Sequence, residues 1–91
     1  MKIIVTATDI KKGRASATRF NIASITCPVA RAIKRVVKGK NYGIIVGPDA
    51  VSVRKNKGWT VLDLPKRATL FINAFDTLKP VSPFSFNLKG L

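Results

Sequence analysis

TDIKKGRASATRFN, residues Thr8 to Asn21, decides how many helices this 91-residue chain has. Gly13 interrupts it, and Ser16 and Thr18 carry hydroxyls that compete with a helix for backbone partners. Asp9 to Lys12 suits one short helical turn, which Asp9 would cap. The remainder reads as a loop.

On its N-terminal side, KIIVTA (Lys2 to Ala7) is β-branched and compact, the composition of a strand. On its C-terminal side a helix is expected from Thr26 or Cys27, with Pro28 in its first turn and Gly39 ending it after Lys38. Val29, Ile33, Val36 and Val37 form its apolar stripe. Arg31, Lys34, Arg35 and Lys38 form a second stripe on the opposite side, which is expected to be exposed, so that removing its charges costs the fold little.

YGIIVG, AVSVR and WTVLDL read as three strands, with KNKG between the last two as a hairpin tip. LPKRATLFINAFDTL reads as a second helix burying Ala68, Phe71, Ile72, Phe75 and Leu78. In PVSPFSFNL, Phe84, Phe86 and Leu88 alternate with polar residues, an edge strand after Pro83. The expected fold is a single α+β domain, residues 1–91, of order β-α-βββ-α-β, with two helices packed on a mainly antiparallel sheet.

Seventeen Lys and Arg stand against four acidic residues, a formal net charge of +13, while 46% of the residues are hydrophobic. That apolar content belongs to a globular domain, not a disordered basic tail. So high a charge repels itself, which a polyanionic partner would relieve. A single Cys excludes an internal disulfide, and no apolar run approaches membrane length, so a soluble intracellular protein is expected.

Catalysis finds little support. There is no His, and the acids are Asp9, Asp49, Asp63 and Asp76, without motif spacing. Asp63, just before Pro65, suits a helix cap. Cys27 stands at a helix start but lacks a His partner, so a small buried Cys is the better reading. No phosphate loop or metal-ligand set is present, and neither cofactor, metal nor small-molecule substrate is expected.

The cations cluster as nucleic-acid contacts would. Lys11, Lys12, Arg14 and Arg19 lie in the expected loop, Arg31, Lys34, Arg35 and Lys38 on the first helix, and Lys55 and Lys57 at the hairpin tip. The loop and helix groups are expected to form one continuous phosphate-binding face. Lys66 and Arg67 open the second helix, against its macrodipole. Trp59, Tyr42 and Phe20 are the candidate stacking residues, although Trp59 on an alternating strand reads as core.

DIKKGRASAT, CPVARAIKR and LPKRATLFINAFDTLKPVSPFSFNL together resemble a class of small phage-encoded proteins. The shared pattern is Asp-Ile-x-x-Gly, then Cys-Pro-(Ile/Val)-Ala, then a Leu-Pro…Phe-Ile…Phe-Asp…Pro-Val-x-Pro-Phe-x-Phe close. Within that class this short, basic chain resembles a type I-F anti-CRISPR protein. The resemblance implies a non-enzymatic inhibitor in the host cytoplasm that binds the Csy (Cascade) complex. It would contact Cas subunits and crRNA and block target DNA hybridisation. The residues leave the oligomeric state open, with a monomer expected. The competing class is a small phage nucleic-acid-binding regulatory or packaging accessory protein.

Overall fold

Thr8 to Phe20 is helical. The computed structural model describes residues 1–20, 27–55 and 58–91, with 15–20 in backbone only. In it β1 (Lys2–Val5) is followed at once by α1 (Ala7–Phe20), where a loop was expected. The start signal is a reciprocal cap. The Asp9 N–H donates to Thr6 Oγ1 at 3.2 Å, and the Thr6 N–H donates to Asp9 Oδ2 at 2.9 Å. Two backbone donors that a helix start leaves open are thereby satisfied, and the Asp9 charge favours the N-terminal end of the dipole. Gly13, which argued for a loop, is buried within a helix that packs on its neighbour.

The remaining elements are α2 (Pro28–Val36), β2 (Gly43–Val46), β3 (Ala50–Lys55), β4 (Gly58–Asp63), α3 (Lys66–Asp76) and β5 (Phe84–Asn87). The domain is α+β, but its described residues form three helices where two were expected. Its strands also divide into two sheets. β2-β3-β4 is an antiparallel meander, and β1 and β5 make a separate antiparallel ribbon.

Side chains, not further strands, occupy the ribbon's rims. Met1 and Leu88 exchange both backbone bonds across it, at 3.0 and 2.8 Å. By antiparallel alternation, the carbonyls of Ile4 and Ser85, which are opposite each other, then point outward. Arg35 Nη2 reaches Ile4 O at 2.8 Å, and Arg67 Nη1 reaches Ser85 O at 3.2 Å.

The core lies between the helices and the inner faces of both sheets. Val29, Ile33 and Val37 of the α2 segment are buried as their spacing requires, while Val36 is only half-buried. Phe71, Ile72 and Phe75 are buried from α3, and Phe71 stacks on Phe84 with ring centroids 4.6 Å apart. Leu78 departs from the expected stripe. α3 ends at Asp76, and Leu78 is 76% exposed with φ at 62°. The Leu78 N–H bonds Phe75 O and the Lys79 N–H bonds Ala74 O, at 3.1 and 2.9 Å, the pair of bonds that closes a Schellman turn.

Candidate nucleic-acid interface

The basic stripe of α2 is divided between holding the fold and facing solvent. α2 begins where the Ala30 N–H donates to Cys27 Sγ at 3.4 Å and Pro28 fills the first turn. One helical turn apart, Arg31 and Arg35 then share a side of α2. That side meets Asp9, whose side chain is 1% exposed. Arg35 grips the carboxylate with both arms of its fork, Nη1 to Oδ1 at 2.9 Å and Nη2 to Oδ2 at 2.7 Å. Arg31 Nε stands 3.4 Å from Oδ1, a charge contact without hydrogen-bond geometry.

Burial works to raise the Asp9 pKa. The Arg35 hydrogen bonds, the Thr6 N–H and hydroxyl, and the Arg35 charge outweigh it and hold the carboxyl at about 2. The Asp9 hydrogen bond in turn raises the Arg35 pKa. Arg31 and Arg35 were expected on an exposed, dispensable face. Instead they neutralise a buried carboxylate and join α2 to α1 and β1.

The other predicted contact residues divide in the same way. Arg14 donates to Lys79 O at 3.2 Å and lies 4.7 Å from the centroid of the Phe75 ring, tying α1 to the end of α3. Lys11, Lys12, Lys34 and Lys38 are exposed on α1, on α2 and at its exit. The Arg19 side chain and the whole of Lys57 lie outside the described residues. Lys55 Nζ donates to Gly90 O at 2.9 Å and sits 5.6 Å from the Tyr42 ring centroid. The single face expected of α1 and α2 is therefore interrupted: Arg14, Arg31 and Arg35 have internal partners, while Lys11, Lys12 and Lys38 are exposed.

Arg67, placed against the α3 macrodipole, has its reason in the Ser85 carbonyl. Beside it a groove of about 540 Å³ is lined by Lys2, Pro65, Arg67, Ser85, Phe86, Asn87 and Lys89, a second basic surface. Cys27 is 4% exposed, and burial pushes its thiol pKa up, opposite to what a thiolate nucleophile needs. Trp59 corrects another expectation. It is 51% exposed, on the outer side of β4, not in the core. Among the described residues, no helix is long and apolar enough to cross a membrane.

No protein-family model matches the chain, and no curated protein or solved structure matches it either.

Proposed function

We propose that this protein acts by binding, without chemistry of its own, and that its partner is a nucleic-acid-bearing assembly. The observation that carries the reading is the division of its cations. Arg14, Arg31, Arg35 and Arg67 have partners within the fold, yet Lys2, Lys11, Lys12, Lys38, Lys66 and Lys89 remain exposed on a chain of net charge +13. A surface of flexible ammonium groups contacts phosphates without reading sequence.

The partner that the sequence resemblance supports is the type I-F Csy complex in the host cytoplasm. Contact with its Cas subunits and crRNA would obstruct hybridisation of target DNA, with the protein acting as a stoichiometric anti-CRISPR inhibitor. Binding of purified protein to assembled Csy complex, with inhibition complete near one equivalent per site, is the expected result. Tight binding to naked duplex DNA with no effect on the complex would assign the protein to phage regulation or packaging instead. Inhibition well below stoichiometry would overturn the non-enzymatic reading.

A further inference from the structure

The β2-β3-β4 meander has one covered face and one open face. Ile44, Val51, Val53 and Leu62 point inward and are buried. Residues of opposite parity point outward, and strand register sets them in two adjacent rows: Gly43, Arg54 and Trp59, then Ile45, Ser52 and Val61. Ile45, Trp59 and Val61 are 42, 51 and 65% exposed.

The lie of the Trp59 ring is the unusual part. Gly43 is two strands away from it, about 10 Å across the sheet. Yet a side-chain carbon placed on Gly43 would stand 3.5 Å from Trp59 Cη2. The indole therefore extends across β3 towards the space that Gly43 leaves empty, with the side chain half exposed on the open face. Arg54 sits directly opposite Trp59 on the strand it crosses. A hollow of about 360 Å³ adjoins them, lined by Asn41, Tyr42, Gly43 and Arg54, with exposed Lys38 and Lys40 on the segment leading to it. Asp49 and Asp63 lie at the far end of the sheet, where the Leu64 N–H bonds Asp49 O and Asp63 pairs with Ala50.

We propose that this face is a stacking platform for single-stranded nucleic acid, with a base on the Trp59 indole and the adjoining phosphate on Arg54. The inference rests on the nucleic-acid reading above and names the surface for it. Charge selects the occupant. An apolar protein surface would bury Arg54 and Ser52 in the middle of the contact. A nucleotide instead places its flat apolar part on the indole and its anion on the guanidinium, at the end of the sheet away from the carboxylates. Duplex bases are already stacked, so the platform discriminates in favour of single strands.

Trp59 is the only tryptophan in the chain, so its fluorescence reports this site alone. Titration with oligo(U) or oligo(dT) is expected to quench the emission to a plateau, whereas a duplex of matched length quenches it little. Trp59→Ala, at an exposed position, should fold as the wild type does by circular dichroism. It should bind labelled oligo(U) about tenfold to a hundredfold more weakly by anisotropy, with duplex affinity unchanged. Trp59→Phe should recover part of the loss, and Gly43→Val, which displaces the indole, should reproduce it. Single-strand binding without quenching, or wild-type affinity in Trp59→Ala, overturns the platform while leaving the wider binding function intact. Absence of binding to any oligonucleotide at low salt removes both. Emission that shifts with protein concentration alone, together with a dimer by light scattering, overturns the platform by giving the face to a second copy.

Discussion

Ile4 and Ser85 face each other across the β1–β5 ribbon, and each hands its outward carbonyl to an arginine from a different helix. Arg35 thus serves two acceptors at once, a strand rim and the buried Asp9 carboxylate. Arg35→Ala would leave that carboxylate ionised, enclosed and short of donors. Because the Arg35 side chain is itself 49% exposed, the expected destabilisation is discounted from that of a fully buried pair to about 2–3 kcal/mol. Arg35→Lys should recover little, since an ammonium cannot replace the two-armed grip. Urea unfolding of both variants measures this. Wild-type stability in Arg35→Ala would show the clamp to be idle.

Acid should weaken the fold through Asp9. Its carboxyl is held at about 2, below the ordinary 3.8, so the folded state binds this proton less readily than the unfolded chain does. The resulting stability, on the order of 2 kcal/mol, is fully present above about pH 5 and disappears as pH falls through 2. Asp76 acts in the opposite sense, because burial raises its pKa and protonation there favours the fold. Thermal unfolding between neutral pH and pH 2 should show a declining midpoint in the wild type. The profile should be much flatter in Asp9→Asn, which begins from a lower stability.

Leu78 holds a left-handed backbone at the position where a helix exit favours glycine, with its side chain in solvent. Leu78→Gly should therefore stabilise the protein by about 0.5–1 kcal/mol, relief of strain outweighing the added freedom of the unfolded chain. A few degrees' rise in Tm would be seen by calorimetry. A fall in Tm would mean that the exposed leucine makes contacts worth more than its strain.

Lys11, Lys12 and Lys38, unlike Arg14, Arg31 and Arg35, are positions at which binding can be tested without disturbing the fold. Lys11→Ala, Lys12→Ala and Lys38→Ala combined should leave the urea midpoint nearly unchanged. If all three meet phosphates of single-stranded crRNA, the slope of log affinity against log salt should become shallower by about 2. An unchanged slope for the Csy complex would move the interface away from α1 and the exit of α2.

Strong local patterns made much of this architecture legible. β-branched composition found the first strand and alternation the last, and Pro28 marked the start of α2, which ends at Val36, short of the Lys38 that Gly39 suggested. α1 was hidden because Gly13, Ser16 and Thr18 carry weak helix propensity, and its support comes from Thr6, Asp9 and a helix distant in sequence. The available signal was Thr-x-x-Asp at Thr6 to Asp9, a capping box with Asp in the Glu position. Arg31 and Arg35 looked like part of a solvent face because sequence spacing shows which residues share a side, not what that side meets. Trp59 was misplaced although Leu62 and Leu64 share one parity and Trp59 and Val61 the other. With apolar residues on both parities, alternation alone could not choose the inner face.

The ribbon also sets a timetable for folding during synthesis. Met1 and Leu88 meet across 87 positions, whereas Asp9 and Arg35 meet across 26. At ribosomal speed the intervening residues take about 3–10 s to make. The α1–α2 corner can close in the nascent chain while Ile3 and Val5, almost wholly enclosed in the finished protein, still lack β5. During that interval the first strand keeps one rim open, and only arrival of the fifth removes it from reach of other chains.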